Sequence, residues 1–328
     1  MSHLLLIRLS ALGDALMTIP IVDALARQNP ALPITMAGPP ALSDIFRRLP
    51  ANVHYLPVNK GHYSGPLGLW RLYRQLAALR PTHVCDLHDV IRTKVVRFLF
   101  ALAGKSTAHI CKDRPARRRF LSERPPVQQV TSFERYRQAL VQMGFEVDFS
   151  HFSPLATYKV KEGGIGIAPF AAHPGKAYPL TKMEEVVRIL SAQGRKIYIF
   201  GAGCKERTMA ERWATNYAGV ESTIGRLGGM DKELDFIAGL DVMVSMDSAN
   251  MHLASLTSTP VVSIWGATHP YGGFLGWGQD LHNVLQMDDM PCRPCSIYGK
   301  TLCPLGDYPC LSRITPERIV DKVNELCE

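Results

Sequence analysis

The segment LLLIRLSALGDALMTIP, residues 4–20, decides the fold class of this chain. Its first four residues are aliphatic, which is typical of a strand buried on both faces of a parallel sheet. Arg8 and Asp14 interrupt the apolar run, so the segment predicts neither the core of a signal peptide nor a membrane span. We therefore predict a buried strand over residues 4–9 and a helix over residues 14–28.

The same alternation of apolar runs and amphipathic stretches continues along the chain. Further predicted strands cover residues 33–37, 53–57, 83–87, 165–168, 196–200, 242–246 and 261–265. Further predicted helices cover residues 41–49, 67–79, 92–103, 182–193, 205–218, 234–240, 250–256 and 315–327. Strand–helix alternation is typical of an α/β protein with a doubly wound parallel sheet.

The alternation breaks at residues 149–164, which contain Pro154 and a Gly-Gly pair, and we predict a domain boundary there. The two predicted domains are residues 1–160 and 161–328, and the last helix is left free to pack back on the first domain. Ligands of parallel sheets bind at the carboxyl ends of the strands, so two such sheets predict a cleft between the domains. Residues that directly follow strands are therefore the candidates for chemistry.

Composition excludes several classes of protein. The chain has 328 residues, of which 46% are hydrophobic and 20% charged, as in an ordinary globular protein. These features exclude a transmembrane protein, a secreted mini-scaffold and a coiled coil. The net charge of +8 favours anionic partners. Eight cysteines without an export signal predict a reducing, cytoplasmic location.

The sequence contains a cluster of basic residues and a cluster of cysteines, and each cluster allows two interpretations. Basic residues crowd one short stretch, at Lys112, Arg114, Arg117, Arg118 and Arg119. This stretch is either a solvated surface loop or a dock for an acidic acceptor or lipid headgroup. Four cysteines crowd another, at Cys292, Cys295, Cys303 and Cys310. Their spacing allows a structural zinc or a group of reduced thiols, and because it is not that of a ribbon with two CxxC pairs, we predict no metal.

The turn after the first strand is the first candidate site. Gly13 would permit a tight strand-to-helix turn, and Asp14 would then begin a helix and point into the cleft. An Asp that only caps the helix would have the same sequence signature. The fingerprint GxGxxG is absent here, which argues against a domain that binds NAD.

Segments that follow strands in the second half are candidate phosphate and sugar sites. Lys176 lies in a loop rich in Gly and Pro, where it would meet a phosphate or only solvent. Residues 245–254 pass from a strand into a helix, so unpaired N–H groups would favour an anion. Within them Asp247 suits sugar hydroxyls, and His252 suits a phosphate or simple packing. Thr268 follows the last predicted strand and adds a hydroxyl.

Taken together, these segments resemble glycosyltransferase family 9, the ADP-heptose:lipopolysaccharide heptosyltransferases. The matching pieces, in the order of the family, are RLSALGD at residues 8–14 with Pro20, PGK at 174–176, MDS at 246–248, HLA at 252–254, IWGAT at 264–268 and the cysteine segment at 292–318. The resemblance implies a GT-B fold, with two facing Rossmann-like domains that bind the acceptor and the nucleotide sugar respectively. It also implies an inverting, metal-independent transfer of a heptose, or a related sugar, from an ADP-sugar to a lipopolysaccharide inner-core acceptor.

The resemblance also implies roles for individual residues. Asp14 would be the general base and Lys176 would stabilise the departing diphosphate, a division of labour that inverting transfer needs. The implied donor-binding residues are Asp247, Ser248, Ala249, Asn250, His252 and Thr268. The acceptor-binding candidates are Ser10, Gly13, Asp89, Arg92, Arg117, Arg118 and Arg119. Ala249 departs from the family, which usually has Gly there, and its methyl group stands where backbone approaches phosphate.

The partners expected from these assignments are a nucleotide-sugar donor and an acidic, lipid-linked glycan acceptor. Any contact with the inner membrane would be peripheral, through basic residues and the acceptor lipid. A nucleotide-sugar epimerase of similar fold is one alternative. A non-enzymatic basic protein that binds nucleotides is another. Nucleic acid is not an expected partner, because no helix-turn-helix, RRM or zinc-finger pattern is present.

Overall fold

The computed structural model describes residues 2–123, 126–156 and 163–327. It divides into an N-terminal unit, Met1–Asp113 with Thr131–Leu155, and a C-terminal unit, Arg114–Val130 with Ala156–Glu328. The predicted boundary between residues 160 and 161 lies outside the described residues. The structure differs from the prediction in one respect, because it assigns Arg114–Val130 to the C-terminal unit.

Strands and helices alternate over the first 156 residues. In chain order they are β1 (Leu4–Ile7), α1 (Leu12–Leu16), α2 (Ile19–Gln28), β2 (Ile34–Gly38), α3 (Ser43–Phe46), β3 (Val53–Pro57), α4 (Gly65–Ala77), β4 (His83–Asp86), α5 (Ile91–Leu102), β5 (Ser106–His109), α6 (Arg114–Ser122) and α7 (Ser132–Val141). All of these except α6 belong to the N-terminal unit. Within the described residues its sheet has five parallel strands in the order β3-β2-β1-β4-β5.

The central position of β1 explains its sequence. It pairs with β2 on one side and β4 on the other, and all four of its residues are buried. Because β3–α4–β4 and β4–α5–β5 cross the sheet in the same direction, α4 and α5 cover the same face. Their inner residues Leu72, Leu76, Val96 and Phe100 share a core cluster with the sheet.

The helix predicted over residues 14–28 is in fact two helices, α1 and α2. Pro20 lies in the first turn of α2, where it has no N–H to donate and its ring crowds the carbonyl four residues earlier. The Thr18 hydroxyl donates to the Ala15 carbonyl at 2.7 Å across this break. The break makes α1 a short separate helix that carries Asp14.

The C-terminal unit repeats the alternation. Its further elements are β6 (Ile165–Ala168), α8 (Leu180–Ala192), β7 (Ile197–Ile199), α9 (Gly203–Asn216), β8 (Val220–Ser222), α10 (Met230–Ala238), β9 (Val242–Met246), α11 (Ala249–Ser255), β10 (Val261–Ile264), β11 (Val284–Leu285), α12 (Pro309–Ser312) and α13 (Pro316–Cys327). In the part of the chain that is described, its sheet has six parallel strands in the order β11-β10-β9-β6-β7-β8. The neighbours β10, β9 and β6 bring three candidate loops to one edge.

The terminal helix α13 belongs to the C-terminal unit. The Thr315 hydroxyl accepts the Arg318 N–H at 3.4 Å, which fits the predicted N-cap. Buried residues of α13, Ile319, Val320 and Val323, join the core cluster of this unit. These residues therefore pack α13 within the C-terminal unit, and contact of this helix with the first domain stays a prediction.

Two α/β units with parallel sheets agree with the fold class predicted from the sequence. Among the helices of the described residues, none combines the length and apolar composition that a membrane crossing requires.

Candidate active site

Asp14 in the N-terminal unit is held by an arginine that precedes it by six residues. The Arg8 guanidinium lies 2.5 Å from Asp14 Oδ2, and the two side chains are 9% and 20% exposed. Arg8 also donates to the Leu87 carbonyl at 2.7 Å and lies over the Tyr136 ring. The Tyr136 hydroxyl donates to the Asp14 carbonyl at 3.1 Å. This carboxylate is therefore fixed at the carboxyl end of β1.

The turn after β4 brings a buried histidine to the same edge of the sheet. Asp86 is fully buried, and its Oδ1 accepts the backbone N–H groups of His88 and Asp89, each at 2.9 Å. His88 Nε2 lies 3.4 Å from the Ser10 hydroxyl, and His88 Nδ1 is buried without a hydrogen-bond partner in the described residues. Burial first, and then the charge of Arg8, lower the pKa of His88 to about 3. His88 is therefore neutral at physiological pH.

The other acceptor candidates of the N-terminal unit lie near this turn. Asp89 forms ion pairs with Lys94 at 3.6 Å and Arg97 at 3.5 Å. Arg92 is the second residue of α5, and its Nε is buried without a hydrogen-bond partner among the residues described. Gly13 lies inside α1, so it does not form the predicted turn before the helix.

The arginines predicted to bind the acceptor lie in the C-terminal unit, on α6, which is a helix rather than a loop. Arg117 donates to the Tyr298 hydroxyl at 2.7 Å and lies over the Tyr298 ring. Phe120 is buried, with its ring 6.3 Å from that of His269. These aromatic contacts hold α6 in the C-terminal unit, and Arg118 and Arg119 remain exposed. The prediction that these three arginines belong to the N-terminal domain is wrong.

In the C-terminal unit, Lys176 and Asp247 form a charged pair. Lys176 follows β6 and Asp247 follows β9, its neighbour in the sheet, and their Nζ and Oδ2 atoms lie 2.7 Å apart. The Asp247 side chain is 3% exposed and that of Lys176 16%. The sequence predicted both residues as functional but did not predict that they meet.

Three loops pack tightly around the backbone of Lys176. Gly175 donates to the Gly299 carbonyl at 3.1 Å, and its own carbonyl accepts the Ala267 N–H at 2.8 Å. A Cβ on Gly175 would lie 2.8 Å from the Ala267 Cβ and 2.9 Å from the Gly299 oxygen. A Cβ on Gly299 would lie 2.6 Å from the Lys176 Cγ. Glycine at 175 and 299 is therefore required for the position of the lysine.

The remaining donor candidates surround the carboxyl ends of β9 and β10. Ser248 precedes α11, and its hydroxyl lies 3.2 Å from that of Ser245. Ala249 begins α11 in helical conformation, which alanine adopts without strain, so no glycine is needed there for the backbone. The Thr268 hydroxyl and Asn250 Nδ2 are buried polar atoms without hydrogen-bond partners in the described part of the chain. His252 is 5% exposed within α11.

Arg293 is a buried arginine that was not among the site residues predicted from the sequence. Its guanidinium donates to the carbonyls of Gly266 and Thr268 after β10, and to that of Met287. Burial lowers the pKa of Arg293. It therefore fixes the loop that carries Thr268. The only sequence signal was its place inside the CxxC segment.

The neighbouring cysteines are close enough to influence one another. Burial raises the pKa of Cys310 to about 11, although the charge of Arg293 acts to lower it, and the neighbouring cysteines add a smaller upward effect. Burial and the neighbouring Cys292 and Cys303 raise the pKa of Cys295. Within the described residues, no group of three or more His, Cys, Asp or Glu side chains is arranged to hold a metal ion.

Comparison with known proteins identifies the family. Residues 123–304, more than half of the chain, match the model of glycosyltransferase family 9 (heptosyltransferase). The chain belongs to glycosyltransferase family 9. The matched residues of this glycosyltransferase include Lys176, Asp247 and Thr268, whereas Asp14 precedes them.

Three known proteins are similar to this family 9 enzyme over almost the whole chain. Lipopolysaccharide heptosyltransferase 1 of Pseudomonas aeruginosa is 26% identical in an alignment 367 positions long, which covers 99% of this chain and 98% of that protein. A family 9 glycosyltransferase of Veillonella parvula has a TM-score of 0.73 at 19% identity, covering 99% and 97% of the two chains. The Escherichia coli heptosyltransferase WaaC, solved with ADP, has a TM-score of 0.69 at 19% identity and covers 99% of both chains. The predicted GT-B fold class is confirmed.

Proposed function

We propose that this enzyme transfers a heptosyl group from ADP-heptose to a hydroxyl of an acidic, lipid-linked lipopolysaccharide inner-core acceptor, with inversion and without a metal ion. One observation carries the proposal. In a family 9 enzyme, a lysine and a buried aspartate meet 2.7 Å apart at the carboxyl edge of the C-terminal sheet. Ligands of parallel sheets bind at that edge.

Asp14 is the proposed general base. A general base takes the proton from the attacking hydroxyl in the transition state, and this needs a carboxylate in a fixed position. The contact with Arg8 at 2.5 Å supplies that fixed position, and the carboxylate is partly exposed, so an acceptor hydroxyl can approach it.

Lys176 is the proposed cation for the leaving group. Negative charge grows on the diphosphate as the bond to the anomeric carbon breaks, and a positioned cation in a shielded site stabilises that charge. Asp247 holds the ammonium group at 2.7 Å and leaves it two further N–H donors by its chemistry. We assign Asp247 to positioning Lys176 as well as to binding the donor sugar.

The donor phosphates are assigned to the backbone around Ser248–Asn250 and to Thr268. Thr268 Oγ1 and Asn250 Nδ2 support this assignment: both are buried and have no hydrogen-bond partner among the residues that the structure describes, and buried polar groups are rarely left so. Helical backbone at Ala249 means that its methyl group adds bulk but no strain. On the acceptor side, we assign Ser10, Asp89 and Arg92 around the Asp14 edge.

The test is release of ADP by the purified enzyme with ADP-heptose and a heptose-free inner-core acceptor. Asp14→Asn is expected to lower kcat by at least about a hundredfold, as expected when a general base is lost. The KM for ADP-heptose should change by no more than about twofold, because a base acts in the transition state. The matched control is Asp44→Asn, a carboxylate in the same unit whose side chain is 41% exposed, and this variant should leave kcat unchanged. Full activity of D14N, or ADP release without acceptor, would refute the proposal.

A further inference from the structure

Helix α5 carries an exposed apolar stripe on its outer face. Ile91, Val95, Phe98 and Leu102 are 82%, 36%, 61% and 70% exposed, respectively. Their spacing of four, three and four residues places them on one line along a helix. The opposite side of α5, with Val96 and Phe100, is buried in the core. The exposed stripe therefore does not contribute to the packing of this unit.

Helix α4 extends the apolar surface. Leu67 is 80% exposed and Trp70 is 48% exposed, both in the first half of the helix. Contact between the Tyr73 and Phe100 rings, at 5.0 Å, joins α4 to α5. We call Leu67, Trp70, Ile91, Val95, Phe98 and Leu102 the apolar patch. An exposed apolar patch of this extent marks an interaction site on a globular protein.

The charged side chains of helices α4 and α5 are all basic, although Asp89, just before α5, pairs with Lys94. Helices α4 and α5 contain five Arg or Lys residues and no Asp or Glu, at Arg71, Arg74, Arg92, Lys94 and Arg97. Arg71 and Arg74 are exposed beside Leu67 and Trp70, and the Lys94 side chain is 45% exposed beside the α5 stripe. Apolar side chains with cationic neighbours are typical of surfaces that lie on anionic lipid.

We propose that the apolar patch and its cations dock the enzyme on an anionic lipid bilayer. A twofold contact between two copies through this face would bring Arg71 and Arg74 of one copy against the basic residues of the other, and repulsion between like charges disfavours this contact. Phosphate headgroups complement these cations, and the acyl region accepts the apolar side chains. Trp70, with an apolar ring and one N–H, is suited to the boundary between them.

The position of the patch relates it to the site around Asp14. Helices α4 and α5 follow β3 and β4, so both begin at the carboxyl edge of the N-terminal sheet. Leu67, Trp70 and Ile91 lie in the first turns, near the edge where Asp14 and His88 lie. Docking through the patch would bring that edge toward the headgroups. The proposal adds to the proposed function by naming the lipid surface at which the enzyme would meet its lipid-linked acceptor. Its evidence is the apolar patch and the neighbouring cations, so vesicle binding tests it independently of enzyme activity.

The test is co-sedimentation of the full chain with vesicles of phosphatidylcholine alone, or with roughly one third phosphatidylglycerol. Wild-type enzyme should bind the anionic vesicles. Phe98→Ser with Leu102→Ser should reduce binding by about tenfold, because two apolar side chains no longer enter the bilayer. Arg71→Glu with Arg74→Glu should reduce it to a similar degree. The matched control is Leu302→Ser with Leu305→Ser, two exposed leucines of the C-terminal unit, which should bind as wild type.

Each remaining outcome has a defined meaning. The proposal fails if wild type does not bind anionic vesicles, or if F98S/L102S binds as well as L302S/L305S. It also fails if wild type is a dimer in sedimentation velocity that F98S/L102S converts to monomer, because a second copy then covers the patch. ADP release with a delipidated acceptor should be the same in wild type and F98S/L102S. If no variant or wild type releases ADP, the proposed function fails while vesicle binding still tests the patch.

Discussion

Lys176 and Asp247 show at the residue scale how burial makes a charged pair sensitive to change. Lys176→Met would leave the Asp247 carboxylate, which is 3% exposed, without its cation. Loss of one partner of a buried pair costs about 3–5 kcal/mol, whereas replacement of both by apolar residues is often neutral. We expect K176M to lose about 3 kcal/mol of unfolding free energy, and Lys176→Met with Asp247→Leu to regain most of it.

Urea unfolding and ADP release, measured on the same proteins, separate the two roles of this pair. Both K176M and the double variant should lose ADP release by about a hundredfold or more, because neither has a cation for the leaving group. Equal free energies of unfolding for the single and double variants would show that the buried Asp247 carboxylate does not destabilise the enzyme when Lys176 is absent. Activity in the double variant would remove Lys176 from the mechanism.

His88 predicts a pH dependence of stability. The unfolded chain takes up a proton near the ordinary histidine pKa of about 6.5, whereas burial and Arg8 lower the pKa of His88 in the folded enzyme to about 3. Above pH 6.5 the imidazole is neutral in both states and His88 does not affect the free energy of unfolding. As the pH falls from 6.5 toward 3, only the unfolded chain binds the proton, so the free energy of unfolding falls. The slope is at most about 1.4 kcal/mol per pH unit for one proton.

His88→Asn removes this titration. Urea unfolding of wild type and H88N is measured between about pH 7 and pH 4. The free energy of unfolding should fall less steeply with decreasing pH in H88N, because up to one proton fewer is taken up on unfolding. If both proteins lose stability in parallel over that range, His88 does not stay neutral in the folded enzyme.

At the scale of elements, the loops after parallel strands are positioned by residues far away in the sequence. Gly299 has φ of +73°, and a Cβ there would press on the Lys176 stem. Gly299→Ala is expected to cost about 1 kcal/mol in backbone strain and to displace the lysine. A displacement of about 1 Å costs up to about a hundredfold in rate, so ADP release should fall by at least about tenfold.

Gly278→Ala is the matched control, because Gly278 has φ of +63° and open space around its Cβ position. G278A should lose a similar amount of unfolding free energy and retain full ADP release. If G299A and G278A have the same activity, contact with Gly299 does not position Lys176.

For the whole molecule, the sequence predicts the fold class and most of the strands and helices, but it does not predict every element or the contacts between distant segments. Apolar runs such as β1 and capping residues such as Thr315 act locally, so the alternation of elements and the fold class were predictable. β5 and α6 were missed because their sequences, STAH and RPARRRFLS, are polar. Placement of α6 depends on Phe120 against His269, a contact between distant parts of the chain.

Candidate residues were predictable in the same sense, but their partners were not. Asp14 and Lys176 follow predicted strands, and that position alone marked them. The contacts of Asp14 with Arg8 and of Lys176 with Asp247 depend on turn geometry and on the order of strands in each sheet. Arg8 was visible only as a charge that interrupts an apolar run.

The division into two units predicts that the nucleotide stabilises the C-terminal one. Trp70→Phe leaves Trp213, Trp265 and Trp277, all in that unit, as fluorescence probes of its unfolding. With ADP at about one hundred times its Kd, the unfolding free energy of W70F should rise by about 2.7 kcal/mol, because ADP binds only the folded site. Urea unfolding followed by tryptophan fluorescence measures this change. Adding Lys176→Met should abolish most of it, since the assigned phosphate contact is gone. An unchanged midpoint with saturating ADP, or the same gain in W70F/K176M, would place nucleotide binding away from the loops after β6, β9 and β10.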